Sequence, residues 1–222
     1  MIEDKTFIEV EYTGRIKDDE NRVFDTTSEE VAKKEEIHNP NAQYGPVIVC
    51  IGQGQLLKGI EEGLKGKKEG KYSFDLQPEE AFGKKNAGLI QLIPTNKLQK
   101  ENIQPVPGLQ LNIDGSIATV RTVSGGRTIV DFNHPLSGKE VHYDVEVKRI
   151  VTNPQEQLDG LLDRLGVPCD VEVKEDKATI KLEKELPPGG DEELKKYLKD
   201  LVKIKEINFV TAEHKNLNST AK

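Results

Sequence analysis

The chain has no Trp, one Met and two Cys in 222 residues, and its only aromatic rings besides histidine are six Phe and five Tyr. Each shortage excludes something. Cys50 and Cys169 are too few for a disulfide framework and fit a reducing compartment, so the expected location is cytoplasmic. No apolar run approaches the roughly 18–20 residues of a membrane-spanning helix. The charged opening Met1-Ile2-Glu3-Asp4-Lys5 does not read as a secretory signal, and no membrane partner is expected. Basic residues are outnumbered, 32 Lys and Arg against 39 Asp and Glu for a net charge of −7, which argues against nucleic acid as a partner.

Chemical signatures are scarce as well. His38, His134, His142 and His214 lie far apart in sequence, without an HxxxH, HExxH or CxxC pair, so neither a metal nor a cofactor is expected. Gly52-Gln53-Gly54 opens like a dinucleotide fingerprint, but the third Gly stands at position 59, where the fingerprint needs it at 57. No GxxxxGK[ST] loop or GxSxG elbow occurs. Cys50 sits inside the apolar run VIVCI, where a buried, inert thiol is expected.

Charge is also unevenly spread. Residues 84–132 hold six basic and three acidic residues, a charge-poor segment of net +3 within an acidic chain. This divides the sequence into 1–83 plus 133–152, an insert at 84–132, a further domain at 153–213, and a frayed tail at 214–222. In the first part Ile8, Val10 and Tyr12 alternate with polar residues, as do Tyr72, Phe74 and Leu76, and Tyr143, Val145 and Val147, which is strand periodicity. Helices are expected over 28–37, with Ser28 as N-cap, and over 55–64. The insert shows short strands joined by turns at Asp114-Gly115 and Ser124-Gly125-Gly126. The last domain reads α-β-β-α-β, opening on Asn153 as N-cap, Pro154 at N1 and Glu156 at N3, and broken by Pro187-Pro188-Gly189-Gly190. The class is α+β.

An ordered set of motifs remains. Val10-Glu11-Tyr12-Thr13-Gly14 precedes Val23-Phe24-Asp25, then Ile51-Gly52-Gln53-Gly54-Gln55-Leu56-Leu57-Lys58-Gly59-Ile60-Glu61-Glu62-Gly63-Leu64, then Glu79-Glu80-Ala81-Phe82-Gly83, then Asn133-His134-Pro135-Leu136-Ser137-Gly138, leading into Tyr143-Asp144-Val145. Over about 1–151 this resembles the FKBP family of peptidyl-prolyl cis-trans isomerases, in its SlyD-like branch with an insert-in-flap chaperone domain. The remainder resembles the extension of long archaeal FKBPs. The resemblance implies an antiparallel half-barrel sheet wrapped on a short helix, with an inserted small β domain. It implies a prolyl pocket walled by Tyr12, Phe24, Leu56, Leu57, Ile60, Phe82 and Tyr143, with Asp25 as the lone carboxylate at its edge and the Leu57 N–H holding a substrate carbonyl. Ile60 stands at the pocket floor where many members carry Trp, which should weaken macrolide inhibitors more than isomerisation. Val47 is at most a peripheral wall.

The insert is expected to bind unfolded or partly folded polypeptides containing X-Pro bonds. Its apolar residues Ile90, Leu92, Ile93, Leu98, Ile103, Val106, Leu109 and Leu111 exceed what so small a unit can bury. The competing class is a holdase or assembly chaperone with little isomerase activity. The C-terminal domain could join two copies as a homodimer through the edge of its last strand.

Overall fold

A computed structural model describes residues 1–113, 115–184 and 186–211. Asp114 of the expected turn, the last two residues of the 153–213 segment and the 214–222 tail, with His214, lie outside the described residues. In chain order the elements are β1 (Phe7–Ile16), β2 (Arg22–Thr26), α1 (Glu29–Lys34), β3 (Val47–Cys50), α2 (Lys58–Leu64), β4 (Gly70–Leu76), β5 (Ile90–Pro94), α3 (Thr95–Lys100), β6 (Gln110–Ile113), β7 (Ser116–Ser124), β8 (Arg127–Asp131), β9 (Val141–Ile150), α4 (Pro154–Arg164), β10 (Cys169–Lys174), β11 (Lys177–Leu182), α5 (Gly190–Leu201) and β12 (Glu206–Thr211). They form two compact units, one of residues 1–75 with the chain from His142 onward, the other Leu76–Val141. Among the described residues no helix is long and apolar enough to cross a membrane.

The first unit is built on β1. Its first half pairs antiparallel with β3 (Phe7 opposite Cys50, Val10 opposite Val47), its second half antiparallel with β2 (Thr13 opposite Thr26, Gly14 opposite Asp25). β9 and then β4 continue the sheet from the other edge of β1. A bulge between Gly14 and Arg15 shifts the β1–β2 register just beyond Asp25.

The helices are shorter than their periodicity suggests. α1 begins after Ser28, whose hydroxyl accepts from the Val31 N–H at 3.4 Å. It stops at Lys34, just before Glu36 takes a left-handed φ of 58°. α2 starts at Lys58 because Leu57, its N-cap, is in an extended conformation (φ −59°, ψ 143°), which a helix starting at 55 cannot contain.

The C-terminal segment packs onto this sheet. α4 begins where the sequence pattern puts it: the Asn153 side chain accepts from the Gln155 N–H at 2.9 Å and Pro154 follows at N1. Glu156, however, does not return to the cap. It takes a bidentate pair of bonds from Arg149 of β9 at 2.9 Å each, while Arg149 Nε donates to Glu9 of β1 at 2.8 Å. Gly160 of α4 lies so close to β3 that an added Cβ would stand 2.7 Å from Ile48 Cβ. Leu158, Leu161 and Leu162 share one buried core with Phe7, Cys50 and Val151, together with Ile180, Leu198 and Ile207. β10 and β11 pair antiparallel, and β12 returns through α5 to lie parallel to β11.

The second unit holds a four-stranded sheet in the order β5-β8-β7-β6, with antiparallel pairing throughout. Leu98, Leu111 and Val120 form its small core. α3 carries a single buried residue, Leu98, and so has no apolar stripe for sequence periodicity to detect.

Candidate active site

Strand pleating brings three rings and one carboxylate together in the first unit. The ring of Tyr143, on β9, lies 5.9 Å from that of Tyr12 on β1 at a tilt of 53°, and 5.8 Å from Phe24 on β2, edge-on at 83°. Both geometries are favourable for aromatic pairs. The Tyr143 hydroxyl donates to Asp25 Oδ2 at 3.3 Å. Gly14 allows this arrangement, because a Cβ there would stand 2.6 Å from Tyr143 Cζ. The strands beside the cluster are cross-linked: Thr13 and Thr26 share a hydroxyl bond at 2.8 Å, and the Tyr12 N–H donates to Thr27 Oγ1 at 2.9 Å.

Burial governs the electrostatics here. It raises the Asp25 carboxyl above the ordinary carboxylate range, against the Tyr143 hydrogen bond, the Arg164 charge and a Thr26 backbone bond, which each favour the ion. Tyr143 is pushed far up by burial and by the neighbouring Asp25 charge. Tyr12 is raised by burial and by Asp25, while Arg164 draws it back. Both hydroxyls are therefore neutral donors at physiological pH.

Leu56 and Leu57 lie half-buried on the loop before α2, with Leu57 as the helix N-cap, and Ile60 and Leu64 are wholly buried in α2. This loop is braced from within. Glu61, buried at 8% exposure, accepts from the N–H groups of Gly52, Gln55 and Leu56 at 3.1, 3.1 and 3.3 Å. The Gln55 side chain accepts from the Cys50 N–H at 2.7 Å. Glu61 and Gln55 both lie in the quoted motif, yet sequence reasoning gave neither a role, because a carboxylate in the first turn of a helix reads as a surface charge. The Cys50 thiol is pushed up to about 12 by burial and by Glu61, so it is inert.

The second unit holds Phe82, whose ring stacks flat on His134 at 4.8 Å. The Asn-His-Pro-Leu-Ser-Gly string fastens the two chain passages at the base of this unit. Asn133 accepts from the Asn86 N–H at 2.8 Å and donates to the Asn86 carbonyl at 3.0 Å; the Ser137 hydroxyl donates to the Phe82 carbonyl at 3.0 Å; the Gly138 N–H donates to the Gly83 carbonyl at 2.8 Å. Of the expected client-binding residues, Leu98 and Leu111 belong to the core, at 3% and 8% exposure. Ile93, Ile103 and Leu109 pack against that core, and Ile90 is half-buried on β5. Leu92 and Val106 are exposed, and Ile117 and Leu89 join them. A cavity of about 600 Å³ is lined by Leu89, Leu92, Ile93, Pro94, Ile113 and Phe132 together with polar Gln91, Lys97 and Ser116. Ile117 could have been found from its parity: it alternates with buried Ala118 and Val120 and faces away from the core.

A family model described as "FKBP26, IF domain" matches residues 91–136. A short-type peptidyl-prolyl cis-trans isomerase of Methanocaldococcus jannaschii is 30% identical over 151 residues, 68% of this chain and 94% of that protein. An FKBP-type 16 kDa peptidyl-prolyl cis-trans isomerase of Escherichia coli is 36% identical over 110 residues, 47% of this chain and 74% of that one. A SlyD-named FKBP-type isomerase of Treponema pallidum is 26% identical over 168 residues, 73% of this chain and 86% of that one.

Proposed function

The chain belongs to the FKBP-type peptidyl-prolyl cis-trans isomerase family and is an enzyme of that class; from that premise we propose that the Tyr12, Phe24, Asp25 and Tyr143 cluster is its prolyl site. Rotation about a peptide C–N bond costs about 18–20 kcal/mol because resonance keeps it planar. The X-Pro bond populates both isomers, so what a catalyst must supply is faster interconversion. The planar amide is the more polar form, and a site that is apolar and dry favours the twisted one. No nucleophile is needed. Rings from three strands supply the apolar walls, with Leu56, Leu57 and Ile60 as further wall residues and the Leu57 N–H as anchor for a substrate carbonyl. Asp25, held ionised in part by its Tyr143 bond, orients the twisted amide through a polar contact. The observation that carries this is a half-buried carboxylate that accepts from Tyr143, a ring itself packed against Tyr12 and Phe24.

The insert is proposed to hold unfolded client chains, through exposed Leu92, Val106 and Ile117 and the cavity on β5. Client capture raises the effective concentration of X-Pro bonds at the isomerase site. The test has two arms. On a prolyl tetrapeptide, Asp25→Ala and Tyr12→Ala lower turnover. Replacing 84–131 by a short flap keeps tetrapeptide turnover and strongly lowers catalysis on a refolding protein. Equal loss on both substrates overturns the two-site mechanism, and a wild type inactive on the tetrapeptide favours a holdase.

Three smaller proposals follow from the same reading. Ile60 at the floor weakens macrolide inhibitors more than isomerisation, which inhibitor titration against Ile60→Trp tests. The β12 edge, with Val210 exposed, is proposed to pair two copies, which light scattering of the full chain tests. A cytoplasmic location is proposed from the free thiols, and cell fractionation tests it.

A further inference from the structure

The C-terminal segment reaches the prolyl site. Arg164 closes the last turn of α4, and its Nη2 donates to the Gln55 carbonyl at 2.9 Å, on the loop that leads into Leu56 and Leu57. The charge of the same guanidinium acts on both Tyr12 and Asp25, favouring their ionised forms. One side chain thus binds the loop before α2 and puts its charge within reach of Tyr12 and Asp25. Its reach is fixed by the docking of α4. The helix is fastened at its start by the Glu156–Arg149 pair, in its middle by the close approach of Gly160 to Ile48, and along its buried face by Leu158, Leu161 and Leu162. Arg164 also borders a cavity of about 390 Å³ between α4 and the β3 region, with Tyr44, Val47, Ile48, Asp159 and Asp163.

We propose that Arg164 is a positioning residue for isomerisation, which makes α4 of the C-terminal segment a structural part of the prolyl site. The inference rests on the Tyr12–Asp25–Tyr143 cluster being that site. Arg164 would act in two separable ways. Its planar fork holds the Gln55 carbonyl, which fixes the loop carrying the Leu57 N–H against the end of α4. Its charge keeps Asp25 ionised in a setting where burial favours the protonated form. The titratable side chains facing Asp25 are Tyr12 from β1, Tyr143 from β9 and Arg164 from α4. Only Arg164 among them carries a positive charge, so removing it moves Asp25 protonation to higher pH.

The experiment uses the full chain and records kcat/KM on a prolyl tetrapeptide against pH, with Asp25 followed by the 13C shift of its carboxyl. Arg164→Gln is expected to lower kcat/KM by about tenfold at neutral pH and to move both the acid limb and the Asp25 titration upward. Arg164→Lys restores the charge without the fork: the acid limb and Asp25 titration return toward wild type, while kcat/KM stays low. A loss of packing alone would not split the two readouts in this way. Asp25→Asn serves as reference and should abolish the acid limb. If Asp25→Asn impairs turnover and Arg164→Gln changes neither rate nor titration, the role of Arg164 is overturned and the site stands. If Asp25→Asn also has no effect, the site assignment itself falls, and this inference with it.

Discussion

Gly14→Ala offers the sharpest test of how the ring cluster is assembled. The new Cβ would stand 2.6, 2.9 and 3.0 Å from three atoms of the Tyr143 ring, where ordinary contact begins near 3.4 Å. The ring must therefore retreat by about 0.8 Å, or β1 and β9 must separate by a similar amount. Overpacking of a buried site costs about 1–3 kcal/mol, and in a unit of this size each kcal/mol lowers Tm by about 2–4 °C. The hydroxyl moves with the ring, and its 3.3 Å bond to Asp25 has little slack. A misplacement approaching 1 Å at a catalytic site can cost about a hundredfold in rate, so kcat/KM on a tetrapeptide should fall by about ten- to a hundredfold. The control is the same substitution in a Tyr143→Ala background. With the ring gone, only the backbone preference remains, and Ala is better than Gly within a strand by about 0.5–1 kcal/mol. The effect of Gly14→Ala on stability should thus change sign between the two backgrounds, which denaturant melts of the four proteins measure. An equal effect in both would refute the view that Gly14 exists to seat Tyr143.

Two further expectations concern buried carboxylates. Glu61→Ala leaves three backbone N–H groups of the 52–56 loop without their acceptor and should cost about 2–4 kcal/mol in denaturant unfolding, whereas Glu61→Gln keeps the oxygen that serves Gln55 and Leu56 and should cost clearly less. Equal losses would mean that the charge, not the acceptor geometry, holds the loop. Asp25 is raised above its ordinary value by burial, so its protonated form favours folding: that contribution is complete below the unfolded carboxylate range and is lost as pH rises through the folded value. Asp25→Asn should therefore raise Tm at neutral pH, by a margin that shrinks as pH falls below the carboxylate range. A lower Tm at neutral pH would show the ion to be net stabilised.

The parts of the fold legible in the sequence are those written by local periodicity. Ile8, Val10 and Tyr12 announce β1, Tyr143, Val145 and Val147 announce β9, and Asn153-Pro154 announces the start of α4. That Tyr12, Phe24, Tyr143 and Asp25 come together was legible only from an ordered set of motifs, since nothing in Tyr12 alone distinguishes a member of a ring cluster from a core residue. What escaped was long-range. Glu61 resembles a surface charge until the backbone turns back over it, and Leu98 looks exposed in a polar hexapeptide until β6 and β7 cover it. Arg164 had no local signal at all: it bonds to Gln55 and its charge acts on Tyr12 and Asp25, all more than a hundred residues earlier in the chain.

That last failure bears on how the molecule is built. Composition separates 153–213 from the isomerase body, yet Phe7, Cys50 and Val151 lie in the same buried core as Leu158, Leu162 and Leu198. Phe7 and Tyr12 belong to one strand, the first facing that shared core and the second facing the ring cluster. Interiors this closely packed transmit displacement, because a strand cannot shift at one end and stay fixed at the other. Substitutions in α4 should therefore reach the proposed prolyl site by two routes, directly through Arg164 and indirectly through β1. Leu162→Ala opens a cavity without touching Arg164, and it separates these routes. A loss of stability of about 2–5 kcal/mol with near-normal kcat/KM at low temperature would assign the coupling to Arg164. A matching loss of rate under conditions where the protein remains folded would assign it to the strand.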